Sequence, residues 1–130
     1  MNYKYLTKKD LVKIHNNLIR KYGGFSGILF DANLDFCVEA PQRVVFGTEP
    51  YNTLHAKAAC FIRELNKLHP FLDGNKRTGL TATDVFLRLN GYELTVSYDE
   101  GVRVSLEIAS CSMENPQINE WIKNRIRKLR

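Results

Sequence analysis

The sequence is poor in cysteine, has no paired metal-ligand motif, and contains no long apolar run. Cys37, Cys60 and Cys111 are three and widely spaced, which excludes a closed disulfide framework and offers no C-x-x-C pair for zinc. They are expected to be reduced side chains in or near the core. His15, His55 and His69 show no H-E-x-x-H or similar spacing, so a metal held by histidines alone is not expected. No stretch of about twenty apolar residues is present, which leaves no membrane-spanning segment. Residues 1–5 lack the apolar core and cleavage site of a signal peptide, so a cytoplasmic location is expected. Internal repeats, linkers and low-complexity segments are also missing.

What is present fits one compact domain over residues 1–130. The chain is 44% hydrophobic, enough for a core without disulfides or a structural metal. Its formal net charge is +5, which suits a polyanionic partner (nucleotide, nucleic acid or acidic protein) without choosing among them. Part of the excess lies in Lys123, Arg125, Arg127, Lys128 and Arg130, read as a solvated helix face and tail.

The apolar spacing is mostly helical. Thr7 and Asp10 resemble a capping box ahead of Leu11, Ile14, Leu18 and Ile19, with Gly23 and Gly24 as the stop. Asp31 is placed to cap a short second helix that must end near Pro41. Residues 41–50 break the rhythm, and Val44, Val45 and Phe46 favour extended backbone, so a short hairpin or irregular flap is expected. Helices are predicted from about 53 to 68, 76 to 90 and 99 to 110, with a short extended piece at 92–97. A last helix starts with Asn115 as cap and Pro116 at its first position, carrying Ile118, Trp121, Ile122, Ile126 and Leu129 on one stripe. The fold class is all-α with one flap.

One loop concentrates chemistry: His69-Pro70-Phe71-Leu72-Asp73-Gly74-Asn75-Lys76-Arg77-Thr78. Gly74 and Asn75 open a helix whose unpaired N–H groups and positive dipole end form an anion site. Gly74 lets the backbone approach a phosphate oxygen, and Lys76 and Arg77 add two cations. Asp73 would repel a bare phosphate but suits a Mg²⁺ that bridges carboxylate and phosphate. His69 ends the preceding helix, and an imidazole can take the proton of an attacking hydroxyl. Phe71 is read as the apolar peg that anchors the loop. The competing reading is a plain helix corner with solvated Lys and Arg. Two cations in a first turn oppose the helix dipole, which counts against it. From these residues the chain is expected to transfer part of a nucleotide onto another molecule.

Residues 69–77 match H-P-F-x-[DE]-G-N-[GK]-R throughout, and the sequence thereby resembles the Fic/Doc family, in particular its Doc-like toxin branch. Leu11, His15, Gly23, Gly24, Gly27, Pro41, Gln42, Phe46, Gly47, residues 57–59 and residues 86–92 add to the similarity, which covers roughly residues 5–95. The resemblance implies a compact Fic-fold helical domain. It implies His69 as general base, Asp73 as Mg²⁺ ligand, and Gly74, Asn75, Lys76 and Arg77 as phosphate-binding residues, with ATP as co-substrate. The flap, through Arg43, Val44, Val45 and Phe46, would dock a protein target by strand-like pairing.

Position 76 bears on the product. Fic adenylyltransferases typically carry Gly there, whereas Doc-like members carry Lys, as here. The resemblance implies that this lysine fills the space beyond the transferred group and favours a γ-phosphate at the reacting position, hence phosphorylation of a Ser or Thr hydroxyl. Elongation factor Tu is the target the branch implies, with arrest of translation as the outcome. Adenylylation and a non-catalytic binding module remain the alternatives. A separate antitoxin is expected as partner; membrane and nucleic acid are not. Ser110 and Glu114-Asn115 match a short inhibitory pattern of the wider family, but Glu114 also has an explanation as part of a helix start. His15 and His55 are read as structural, and Trp121 as a core anchor.

Overall fold

The computed structural model describes residues 2–130. Its elements are α1 (Lys8–Tyr22), α2 (Asp31–Glu39), a 3-10 turn at Ala40–Gln42, α3 (Leu54–Leu68), α4 (Asn75–Leu89), β1 (Tyr92–Leu94), α5 (Tyr98–Ala109), α6 (Asn115–Lys123) and β2 (Ile126–Lys128). The Thr7–Asp10 box is present: Asp10 N–H donates to Thr7 Oγ1 at 3.1 Å and Thr7 N–H to Asp10 Oδ2 at 2.9 Å. Gly23 ends α1 at φ 86°, a left-handed stop that other residues adopt with strain.

α3 is the central helix and packs against α4, α5, α6 and α2. Ala58, Ala59, Phe61, Ile62 and Leu65 are fully buried on it, facing Ala82, Phe86 and Leu87 of α4 and Val104, Ile108, Ile118 and Ile122 of α5 and α6. Small residues at 58 and 59 let the neighbours approach closely, while the aromatic pair Phe61–Phe86 fills the middle at 5.1 Å between ring centroids. Cys37 and Cys60 are buried thiols. Burial pushes the Cys37 thiol up to about 12 and that of Cys60 to about 11, so both remain protonated core side chains. No helix among the described residues is long and apolar enough to cross a membrane.

Three sequence expectations need correction. Asp31 does not cap α2: Phe30 is the N-cap, and Asp31 is the first helical residue, paired with Lys8 at 2.8 Å. At the other end, Glu114 is the N-cap of α6 and Asn115 its first residue, with a Gln117 side-chain oxygen accepting from Glu114 N–H at 2.7 Å. The last helix also stops at Lys123. Ile126–Lys128 form a strand antiparallel to β1, with Tyr92 opposite Lys128, Glu93 opposite Arg127 and Leu94 opposite Ile126. The helical stripe fails there because β1 would otherwise expose an unpaired edge. Ile126 is β-branched and suits that ladder. Arg127, expected on a solvated helical tail, instead pairs with Glu93 at 3.0 Å across the strands.

The flap is a tight hairpin turn. Val45 and Thr48 exchange both backbone hydrogen bonds, at 2.8 and 3.0 Å, around Phe46 (φ 51°) and Gly47 (φ 77°), the two positive φ values a two-residue turn demands. Lys57 anchors the segment from below. Fully buried, it donates to Pro41 C=O at 2.9 Å and pairs with Glu49 at 3.2 Å. Burial pulls its pKa down, but the Tyr5 hydroxyl and Glu49 outweigh that and hold it above its ordinary value.

Candidate active site

The loop from His69 to Gly74 joins the two central helices, and its shape is set by side chains that spend their polar atoms on backbone. The Asn75 amide accepts from Phe71 N–H at 3.0 Å and donates to Phe71 C=O at 2.9 Å. Phe71 is buried, as the peg reading expects, and its ring stacks on His15 at 3.8 Å with an interplanar angle of 4°. His15 in turn hydrogen-bonds Asp73 C=O through Nε2 at 2.7 Å. Loop 23–30 pairs with the other side. Leu29 and Phe30 N–H donate to Pro70 C=O, at 2.8 and 3.1 Å, and Leu72 N–H donates to Gly27 C=O at 3.0 Å.

Asp73 has its carboxylate at the junction. Oδ1 accepts from Gly74 N–H at 2.8 Å and Oδ2 from Phe25 N–H at 3.2 Å. A Cβ on Gly24 would sit 2.7 Å from Asp73 Oδ2, and its φ is +113°, so only glycine fits beside the carboxylate. Each carboxylate oxygen keeps further lone-pair capacity.

Gly74, at φ 77°, is the N-cap of α4 and supplies no side-chain cap. Because its own N–H is taken by Asp73, the free donors begin one residue later. Among the described residues the N–H groups of Asn75, Lys76 and Arg77 have no partner, and they carry the positive end of a 15-residue helix. The Asn75 side chain is not free for a ligand. These N–H groups open into a cavity of about 450 Å³ walled by Asp73, Gly74, Lys76, Arg77, Leu18, Tyr22, Leu80, Thr81, Tyr98 and Val102. The volume suits a nucleotide-sized ligand. Its lining combines the cations Lys76 and Arg77 with apolar and aromatic side chains, Leu18, Leu80, Val102, Tyr22 and Tyr98.

His69 is the C-cap of α3, exposed, with left-handed backbone (φ 44°, ψ 58°). It lies outside the walls of the cavity, at the far end of the same loop. Arg43, Val44, Val45 and Phe46 stand apart: among the described residues no hydrogen bond or bridge joins them to residues 69–78. Arg43 lies over the Phe36 ring at 4.5 Å, while Val44, Val45 and Phe46 are exposed. Glu114 is occupied at the start of α6, and Arg77 contacts Tyr22 and Tyr98 instead.

His15 is structural, as the sequence reading has it, and its structural task is to hold the motif. Loop 23–30, given no role from sequence, does the same from the other side. The glycines at 24 and 27, and a histidine on an otherwise apolar face, were the signals. No group of three or more His, Cys, Asp or Glu side chains gathers for a metal among the described residues. Asp73 alone fits a hard cation that takes its remaining ligands from phosphate oxygens and water.

Residues 5–87 match the Fic/DOC family model. The chain is 34% identical over 95 residues to Toxin Doc of Mycolicibacterium smegmatis, covering 73% of this chain and 71% of that protein. It is 28% identical over 92 residues to Protein kinase doc of Escherichia phage P1, covering 70% and 71%. A probable protein adenylyltransferase of Sinorhizobium fredii is 36% identical over 67 residues, 52% of this chain and 35% of that one.

Proposed function

From the premise that this chain belongs to the Fic/DOC family, we propose that it is a Doc-like toxin that transfers the γ-phosphate of ATP to a Ser or Thr hydroxyl of a target protein. The observation that carries this reading is the uncapped start of α4, where three free N–H groups, Lys76 and Arg77 open into a nucleotide-sized cavity one loop away from an exposed histidine.

The β- and γ-phosphates lie against the N–H groups of Asn75, Lys76 and Arg77, where the helix dipole and two side-chain cations offset their charge. His69 accepts the proton of the target hydroxyl as its oxygen attacks the γ-phosphorus. A new O–P bond forms, the bond from phosphorus to the β–γ bridging oxygen breaks, and ADP leaves with that electron pair. Asp73 would hold Mg²⁺, which neutralises charge on the phosphates. His15 and Asn75 keep the loop rigid so that base and anion site hold their separation.

The flap presents the target. Among the described residues, the N–H groups of Val44 and Phe46 have no backbone partner, so an extended segment can pair along this edge. Phe46, fully exposed, would cover the side chains of that segment. A cytoplasmic toxin with a separate antitoxin and elongation factor Tu as target completes the reading, as a single domain over residues 1–130. The relatives named as toxin and as protein kinase support its toxin and kinase parts.

Adenylyl transfer is the second reading, favoured by the Sinorhizobium relative's name. It needs the α-phosphorus at the same place. With labelled ATP, γ-label on a protein of a bacterial lysate, abolished by His69→Ala, is the expected result. Label retained only from the α-position would replace the kinase with the adenylyltransferase, and neither label would refute transfer.

A further inference from the structure

Arg77 is a long cation in the first turn of α4, where the helix dipole and Lys76 both repel it. Left alone, it would swing into solvent. Yet it lines the cavity, and among the described residues no carboxylate pairs with it. Two tyrosines hold it instead. The guanidinium carbon lies 4.2 Å from the ring centroid of Tyr22, the last residue of α1. Nη2 reaches the hydroxyl of Tyr98, the first residue of α5, at 3.5 Å. Arg77 thus bridges two walls of the cavity.

Neither tyrosine is there to build the core: Tyr22 is 53% exposed and Tyr98 67%. An aromatic face attracts a guanidinium without neutralising it, unlike a carboxylate. The N–H donors keep their full charge for a phosphate, while the side chain is already ordered. Tyr98 also lies beyond residues 5–87, the span the family model matches, so this half of the bracket belongs to the chain's own C-terminal part.

We propose that Tyr22 and Tyr98 are positioning residues that preorganise Arg77 for the polyphosphate of the co-substrate. They act through the arginine and not by stacking on the base. The inference rests on Arg77 being a phosphate ligand, as in the proposed function.

The test measures dissociation constants by calorimetry, for ATP and for inorganic tripolyphosphate, on the full chain. Tyr22→Ala is expected to weaken both ligands about two- to fivefold, and Tyr22→Phe, which keeps the face, to restore binding. Tyr98→Phe, which loses only the distant hydroxyl, is expected to weaken both by about twofold. In an Arg77→Ala background, Tyr22→Ala should cost nothing more. Unchanged thermal melting of the tyrosine variants separates positioning from folding. A loss seen with ATP and absent with tripolyphosphate would overturn the inference in favour of base stacking, as would a full loss persisting without Arg77. If Arg77→Ala itself leaves both affinities intact, the phosphate-binding reading falls with it. If only the tyrosine effects are missing, that reading stands and the bracket alone is refuted.

Discussion

Asn75 gives its whole side chain to the backbone of Phe71, one bond each way. A buried amide that satisfies both groups of a loop residue is hard to replace. Asn75→Ala leaves a buried N–H and C=O without partners, and the expected loss is about 2 kcal/mol of unfolding free energy in a urea titration. Activity should fall further than stability, because the proposed anion site starts at the same residue. The sequence motif marks position 75 as phosphate-binding. In the structure the side chain is spent on the loop, so the proposed phosphate contact would fall to the backbone N–H. His15 shows the same limit of sequence reasoning. Its bond to Asp73 C=O spans 58 positions, and no local pattern encodes it.

At the scale of elements, the helices were legible because their periodicity and caps are local. Thr7 caps α1 as read, whereas the caps read at Asp31 and Asn115 lie one residue late, and Thr53 and Ser97 cap α3 and α5 without having been singled out. The C-terminal strand was not, because its reason lies in β1, 34 residues earlier. The segment between α6 and β2 is fixed by Arg125, which donates to both oxygens of Glu100 on α5, at 2.7 to 3.1 Å. That hydrogen bonding holds the Glu100 carboxyl below the ordinary carboxylate range, with smaller help from Trp121. A depressed folded pKa means stability that is present above the unfolded value and lost as pH falls through the folded one. Arg125→Ala should therefore lower the melting temperature slightly near pH 7, since solvent screens a partly exposed pair. The gap to the parent should begin to narrow as pH falls into the ordinary carboxylate range and close only once it passes the depressed folded value. Thermal melts of both proteins at pH 7 and pH 3 check this, and a gap that stays constant would count against it.

For the molecule as a whole, two central helices bury the core while the loop between them carries a conformation the fold would not choose for itself. His69 sits at φ 44°, where a side chain other than glycine is strained by about 1 kcal/mol. His69→Gly relieves that strain but loosens the unfolded chain, so the urea midpoint should rise only slightly, by up to about 0.5 kcal/mol of stability, while label transfer disappears. An unchanged or lower midpoint would show that the left-handed backbone carries no such strain. If a chain of this kind arrests its host's growth, selection will favour cells that silence it. Most silencing mutations leave a misfolded protein for chaperones and proteases to clear, but His69→Gly, alone among changes there, would leave a harmless one that folds at least as well as its parent. The left-handed histidine therefore makes loss of toxicity an energetically downhill step, and keeping the activity depends on selection for the toxin itself.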